Sequence, residues 1–369
     1  MSYSLFIHDY NNWQFHDFRS EGKMEIMDYK YLKTRKENYT LWVEMHNPPV
    51  NFLTVALLEE LFDLIKKVSK EDSIRVFILT GGIEDVYIMH FSIPELLNLS
   101  KDNKKLLLNL FVKSKITGAF LKYFTTYTNW LMDWFGWYET LMLKFAKIMS
   151  GYSSSLYLWF IMQRTYFAIE RLNKITIAAI NGNCNGGGTE LSACFDFRLM
   201  VGDQGFTIGQ PEVLINIVPG GGSTQRLPRL IGRAKALELM LRGNQLDVQE
   251  AQRIGLITAS FNKVEFKNKV QEFADLMSKR PMTAVDAIKK CVHDGMETTL
   301  RHGLSIESEQ NIRCLDTEDT MNAMQTYISY LDEHINPIDR QKITTEDLNH
   351  IVQETVKHME EGKLYKFKH

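Results

Sequence analysis

Hydrophobic positions along the chain change period several times, and each change marks an element. In YTLWVEMH (39–46) apolar and polar residues alternate, the period of a half-buried strand. NPPVN (47–51) then turns the chain. Leu57, Leu58, Leu61, Leu64, Ile65 and Val68 recur three and four apart, which predicts an amphipathic helix over 54–69. IRVFILTGG (74–82) is a continuous apolar run with a glycine stop, a buried strand. Strand, turn, helix and strand in this order predict an α/β protein.

Residues 100–165 break that rhythm. Four of the six tryptophans lie there (Trp130, Trp134, Trp137, Trp159), and Trp130, Trp134, Trp137, Leu141, Phe145 and Ile148 form a stripe at spacings of three and four. That spacing predicts an aromatic-rich helical insertion. From 174 the α/β rhythm returns with KITIAAI, a glycine turn, a helix near 187–195, strands near FRLMVG and GFTIGQ, and helices over 233–242 and 248–253. From about 264 helices take over, as in 265–279 and 283–293. The chain thus divides into an extension (1–28), an α/β core (29–263, with the insertion), a helical region (264–335) and a polar tail (336–369) with a last helix near 345–360.

At 369 residues and 44% hydrophobic, the chain can bury a substantial core. With 43 basic and 45 acidic residues the formal charge is −2, which gives no overall footprint for nucleic acid or an anionic membrane and leaves a localised patch open. The cysteines Cys184, Cys194, Cys291 and Cys314 are widely spaced, with no CxxC pair, and read as reduced thiols. No metal-ligand spacing appears among the ten histidines. MSYSLFIHDYNNWQFHDF has neither the basic start and apolar stretch of a signal peptide nor the Arg-rich composition of a transit peptide, so a soluble, cytoplasmic protein is expected.

NGNCNGGGTE (181–190) carries the first chemical signal. Three glycines start a helix poorly, because each loses more backbone entropy than alanine on ordering. They suit a place where backbone N–H groups approach a ligand at a helix N-terminus, with no side chain in the way. A developing oxyanion is the charge such donors stabilise. Tight helix–strand packing is the plainer account, yet it explains one or two glycines and not three followed by an acid. Neither GxGxxG nor GK[ST] is present, so nucleotide binding is not indicated.

ITIAAINGNCNGGGTELSACFDFRLMV, GFTIGQPEVLINIVPGGGSTQRLPRLIG and RAKALELMLRGNQLDVQEAQRIGLI resemble the core of the enoyl-CoA hydratase/isomerase (crotonase) superfamily. The likeness continues upstream through NPPVN and VFILTGG and downstream to TEDTMNAMQTYI. It implies an α/β, crotonase-like spiral of ββα units with a C-terminal helical region that builds a homotrimer or homohexamer. It also implies acyl thioesters of coenzyme A as substrates, coenzyme A being part of the substrate, with no separate cofactor, no metal and no nucleic-acid partner. Set beside that family, 100–165 has three readings: packing on the body or another subunit, a cover for a long acyl chain, or peripheral membrane contact through 116–165.

The resemblance carries over to particular residues. Gly187, the middle glycine, matches one main-chain donor to the thioester oxygen, and on YIMHFSIPEL (87–96) the second falls on Met89. His90 replaces a small glycine and Ser92 stands at the usual aspartate. His90 is either a group acting in the chemistry or a packing residue. Glu190 and Glu212 match the two hydratase carboxylates, Glu190 activating water and Glu212 exchanging the proton at C2. His90, Gly186, Gly188, Val50 and Gly220 fall at substrate-binding positions, with Gly220, Gly221 and Gly222 shaping the acyl end and Gln225 and Arg226 behind. The glutamate pair points to an enoyl-CoA hydratase. The rivals are another crotonase-fold activity, such as isomerisation or hydrolysis, and a non-catalytic acyl-CoA-binding protein.

Overall fold

Helix α1 (Val55–Val68) shows how the sequence builds the body. Thr54 caps it, its hydroxyl accepting from Leu57 N–H at 3.2 Å, and the six residues picked out by their spacing are all buried. Full burial of each such side chain is worth roughly 1.5–3 kcal/mol. The computed structural model describes residues 29–103, 135–149, 154–335 and 343–367, together with 123, 126–128 and 130–132. The extension 1–28 and Trp134 lie outside the described residues.

Before α1 come β1 (Leu32–Glu37) and β2 (Thr40–Met45); after it come β3 (Val76–Gly81), β4 (Val86–Ile88) and α2 (Ile93–Asn103). Helices α3 (Gly136–Met149) and α4 (Ser154–Glu170) close the insertion. The next strands and helix are β5 (Ile175–Ile180), β6 (Asn183–Asn185) and α5 (Gly187–Ser192), followed by β7 (Phe197–Val201), β8 (Thr207–Gly209) and a 3₁₀ turn (Glu212–Ile215). Then follow α6 (Ser223–Ile231), α7 (Arg233–Arg242), β9 (Gln245–Asp247), α8 (Val248–Arg253) and β10 (Ala259–Phe261). The C-terminal helices are α9 (Lys263–Met277), α10 (Met282–Met296), α11 (Leu300–Leu315), α12 (Glu318–His334) and α13 (Thr345–Glu360).

The strands form two sheets, in the orders β1-β2-β3-β5-β7-β10 and β4-β6-β8-β9. Three successive strands of the first sheet are each followed by a short strand of the second: β3 by β4, β5 by β6, β7 by β8. The chain therefore climbs in repeated units, parallel within each sheet except at β1 and β9. β2, β3 and β5 are buried almost throughout, as parallel strands covered on both faces must be. β1 (LKTRKE) was not anticipated, because only Leu32 among its six residues is buried and the alternation is masked by edge charges.

The aromatic stripe faces outward. On α3 the buried positions are Glu139, Met142 and Ala146, while Trp137, Leu141, Phe145 and Ile148 are exposed. These four residues of the stripe therefore do not pack on the body of their own chain. Glu139 anchors the helix by accepting from Arg164 Nε at 2.7 Å and Lys66 Nζ at 2.6 Å. The polar tail returns to the core: α13 opens with a Thr344/Asp347 capping box, and Arg75 Nη2 donates to Phe367 O at 3.4 Å.

Candidate functional site

β6 delivers the glycine turn to the surface of the second sheet. Gly186, at φ +50°, sits in the left-handed region, and a Cβ there would lie 2.9 Å from Glu212 Oε1. Gly187 opens α5, so its N–H has no acceptor within the helix. A Cβ on Gly187 would stand 3.3 Å from Phe91 N, so the glycine is what allows the two backbones to approach. Gly188 has a packing role. A Cβ there would meet Ile88 O at 2.7 Å, so this glycine lets α5 pack on β4.

The expected partner of Gly187 needs correcting. Met89 N–H is directed away, donating to Val50 O at 3.4 Å, and that carbonyl is what Val50 contributes. Next along the chain, Leu53 N–H donates to His90 O (3.0 Å) and Ser92 N–H to Leu53 O (2.8 Å), forming a parallel bridge between Leu53 and Phe91. Extended backbone alternates the direction of its N–H groups. Phe91 N–H therefore points the other way, toward Gly187, and has no protein partner among the described residues. The second donor facing the glycine turn is Phe91.

Around that loop the bulky residues have local partners. His90 Nδ1–H donates to Phe91 O at 2.7 Å and the ring lies 4.9 Å from that of Phe52. Ser92 Oγ accepts from Glu95 N–H at 3.4 Å at the start of α2. Both residues are therefore bound up in holding the loop.

Glu190, on the second residue pair of α5, is 4% exposed. Its Oε1 accepts from Gly221 N–H at 2.7 Å and from Ser223 N–H at 3.3 Å. Burial first, and then the charge of Glu212, push its pKa up to about 7. Glu212, half-buried behind Pro211, is also raised, by burial. Gln210 joins the two. With its amide nitrogen toward Glu212 it donates to both carboxylate oxygens (2.7 and 3.0 Å), and its carbonyl accepts from Ser223 Oγ at 2.5 Å. Ser223 thereby links both glutamates, through its N–H on one side and its hydroxyl on the other. Gln210 and Ser223 escaped the sequence reading, although GQPE and GGGS carry them beside the residues it chose.

A second layer fixes the Gly220–Gly222 turn. Arg226 Nη1 donates to Gly221 O at 2.8 Å, and its guanidinium forms a two-pronged pair with Glu170 at 2.6 and 2.9 Å. Tyr166 is fully buried against this turn: a Cβ on Gly221 would lie 2.9 Å from its ring and 2.7 Å from Glu190 Oε2. Gly220 lies on the far side, lining a cavity of about 620 Å³ with Phe167, Leu230, Val292 and Met296. Neither carboxylate lines that cavity, so the chemistry is assigned to the Gly187–Phe91–Glu190–Glu212 cluster and not to this cavity.

Several known proteins resemble this chain. The family model described as enoyl-CoA hydratase/isomerase matches residues 145–335, more than half of the chain. YngF of Bacillus subtilis is 29% identical over 297 residues, covering 80% of this chain and 94% of YngF. The crotonyl-CoA hydratase of Syntrophomonas wolfei is 36% identical over 166 residues, covering 45% of this chain and 63% of that protein. Among solved structures, an enoyl-CoA hydratase from Bacillus anthracis superposes with a TM-score of 0.62 at 24% identity, covering 82% of this chain and 97% of that one. DspI of Pseudomonas aeruginosa gives 0.62 at 20% identity, covering 84% and 98%. At these identities the two structures speak for the fold alone.

Proposed function

The chain belongs to the enoyl-CoA hydratase/isomerase family, and within it we propose that this protein is a hydratase adding water across the double bond of a 2-enoyl-CoA thioester. The observation that carries this reading is the coupled pair Glu190 and Glu212, bridged by Ser223 and Gln210. The thioester oxygen lies between Gly187 N–H and Phe91 N–H, where negative charge builds up as the C3–O bond forms. Losing one donor of such a pair typically costs about 10²–10³ in rate. Water loses a proton to ionised Glu190 and its oxygen bonds to C3; the double-bond electrons pass to the thioester oxygen. Protonated Glu212 then delivers its proton to C2 and the carbonyl re-forms; the proton gained by Glu190 returns to Glu212 by exchange with water, which restores the pair. Hydration is redox-neutral, so the stoichiometry calls for no electron carrier.

Isomerisation is the second reading, favoured by the burial of Glu190. A carboxylate so enclosed and so raised in pKa leaves the half-buried Glu212 as the more accessible proton carrier between C2 and C4. Loss of enoyl-thioester conjugation in water distinguishes the two: Glu190→Gln abolishes hydration and leaves isomerisation at a measurable rate.

The assembly proposed is a homotrimer or homohexamer built through the C-terminal helices. On α11 and α12, Leu304, Ile312, Met321 and Ile328 are exposed, and α12 buries no residue in its own chain. Faces of this composition favour association with further copies.

A further inference from the structure

The structure points to a role for the insertion beyond the reaction: we propose that the outer face of α3 docks on the surface of an anionic lipid bilayer. Trp137, Leu141, Lys144, Phe145 and Ile148 follow one another at helical spacing along a single exposed ridge. Trp137 is 67% and Ile148 74% exposed, while Glu139, Met142 and Ala146 on the opposite face are buried. Such a ridge of tryptophan and aliphatic side chains, with a lysine able to reach back to headgroups, is suited to the boundary between headgroups and acyl chains.

Charge selects the occupant. Residues 101–149 hold eight lysines against three acids, and the rest of the chain holds 35 basic against 42 acidic residues. Glu139, one of the three acids, is buried and neutralised by Arg164 and Lys66. The insertion is thus a basic block on an otherwise acidic protein, and juxtaposed copies of it repel one another. An anionic bilayer attracts it, at roughly 1 kcal/mol per lysine near the surface. No helix among the described residues is long and apolar enough to cross a membrane, so contact through α3 is with one leaflet.

The test is flotation of the full-length chain with vesicles of phosphatidylcholine alone and of equal parts phosphatidylcholine and phosphatidylglycerol. Wild type is expected to float with the mixed vesicles, to bind neutral vesicles at least tenfold more weakly, and to be released by high salt. Trp137→Glu and Phe145→Glu are each expected to weaken binding about tenfold, with unchanged circular dichroism and melting temperature. Tryptophan emission should shift to the blue on binding. Wild type that binds neither vesicle, or variants that bind as well as wild type, would overturn the proposal. So would self-association in the absence of lipid that both substitutions abolish, since the ridge would then belong to a second copy. The readout is independent of catalysis, so failure of the hydratase reading would leave it untouched.

Discussion

Glu190 carries the pH dependence. Its proton affinity is raised, so it is about half ionised near pH 7. As the base that activates water it must be ionised. Its kcat/KM for hydration should therefore rise with pH toward about 7, and fall again where Glu212, the acid of the same reaction, loses its proton. The same shift affects stability with the opposite sign. Between the ordinary carboxylate pKa of 4.5 and about 7, the folded state holds a proton that the unfolded chain has released. Stability therefore falls as pH rises through this window, by something on the order of 3 kcal/mol. In Glu190→Gln that fall should shrink or vanish, read as urea midpoints at about pH 5 and about pH 8. A wild type equally stable at both would contradict the burial of an ionisable group here. Gly221→Ala offers a second test, because its Cβ would sit 2.7 Å from Glu190 Oε2 and 2.9 Å from the ring of Tyr166. Overpacking typically costs about 1–3 kcal/mol, and displacing a catalytic group by about 1 Å can cost 10²-fold in rate. Activity should drop much further than stability; intact turnover would show that the turn does not hold Glu190.

At the scale of elements, α4 and α6 cooperate through one ion pair. Glu170 on α4 holds Arg226 on α6, Arg226 holds the Gly221 carbonyl, and the Gly221 N–H holds Glu190. Arg226→Lys keeps the charge but not the fork, and is expected to lower kcat about ten- to a hundredfold with little change in KM. An unchanged kcat with raised KM would instead place Arg226 among the binding groups. Legibility in the sequence followed the same division. Helices such as α1, α7 and α8 were readable because burial on one side leaves a repeating signal, and β3 and β5 because burial on both faces leaves an unbroken apolar run. β1 was not, since an edge strand with one buried residue leaves almost none. The carboxylates were legible because they sit inside ordered motifs. The second N–H donor was not: which way a main-chain N–H points depends on pairing, and here Val50 O takes the Met89 N–H while the Leu53–Phe91 bridge leaves the Phe91 N–H on the side of Gly187. Gln210 and Ser223 escaped because a bridge between residues 13 apart forms only once the fold sets the GQPE turn against the first residue of α6.

For the whole molecule, two sets of exposed apolar residues have different expected fates. Those of α11 and α12 lie on a charge-balanced helix and an acidic one, and are expected to be covered by other copies. Sedimentation equilibrium should report a trimer or hexamer, and Leu304→Glu with Ile312→Glu should release monomers; a wild-type monomer at micromolar concentration would exclude this assembly. The ridge of α3 lies on the basic insertion, apart from the carboxylates. The central claim is that Glu190 and Glu212 together add water to an enoyl thioester. The measurement that tests it most directly follows the loss of enoyl-thioester absorbance across short to long 2-enoyl-CoA substrates, for wild type, Glu190→Gln and Glu212→Gln. Turnover by wild type, lowered at least about 10²-fold by each substitution in folded protein, is the predicted result. Turnover that survives either substitution, or a folded wild type that binds the thioesters and converts none of them, would contradict it.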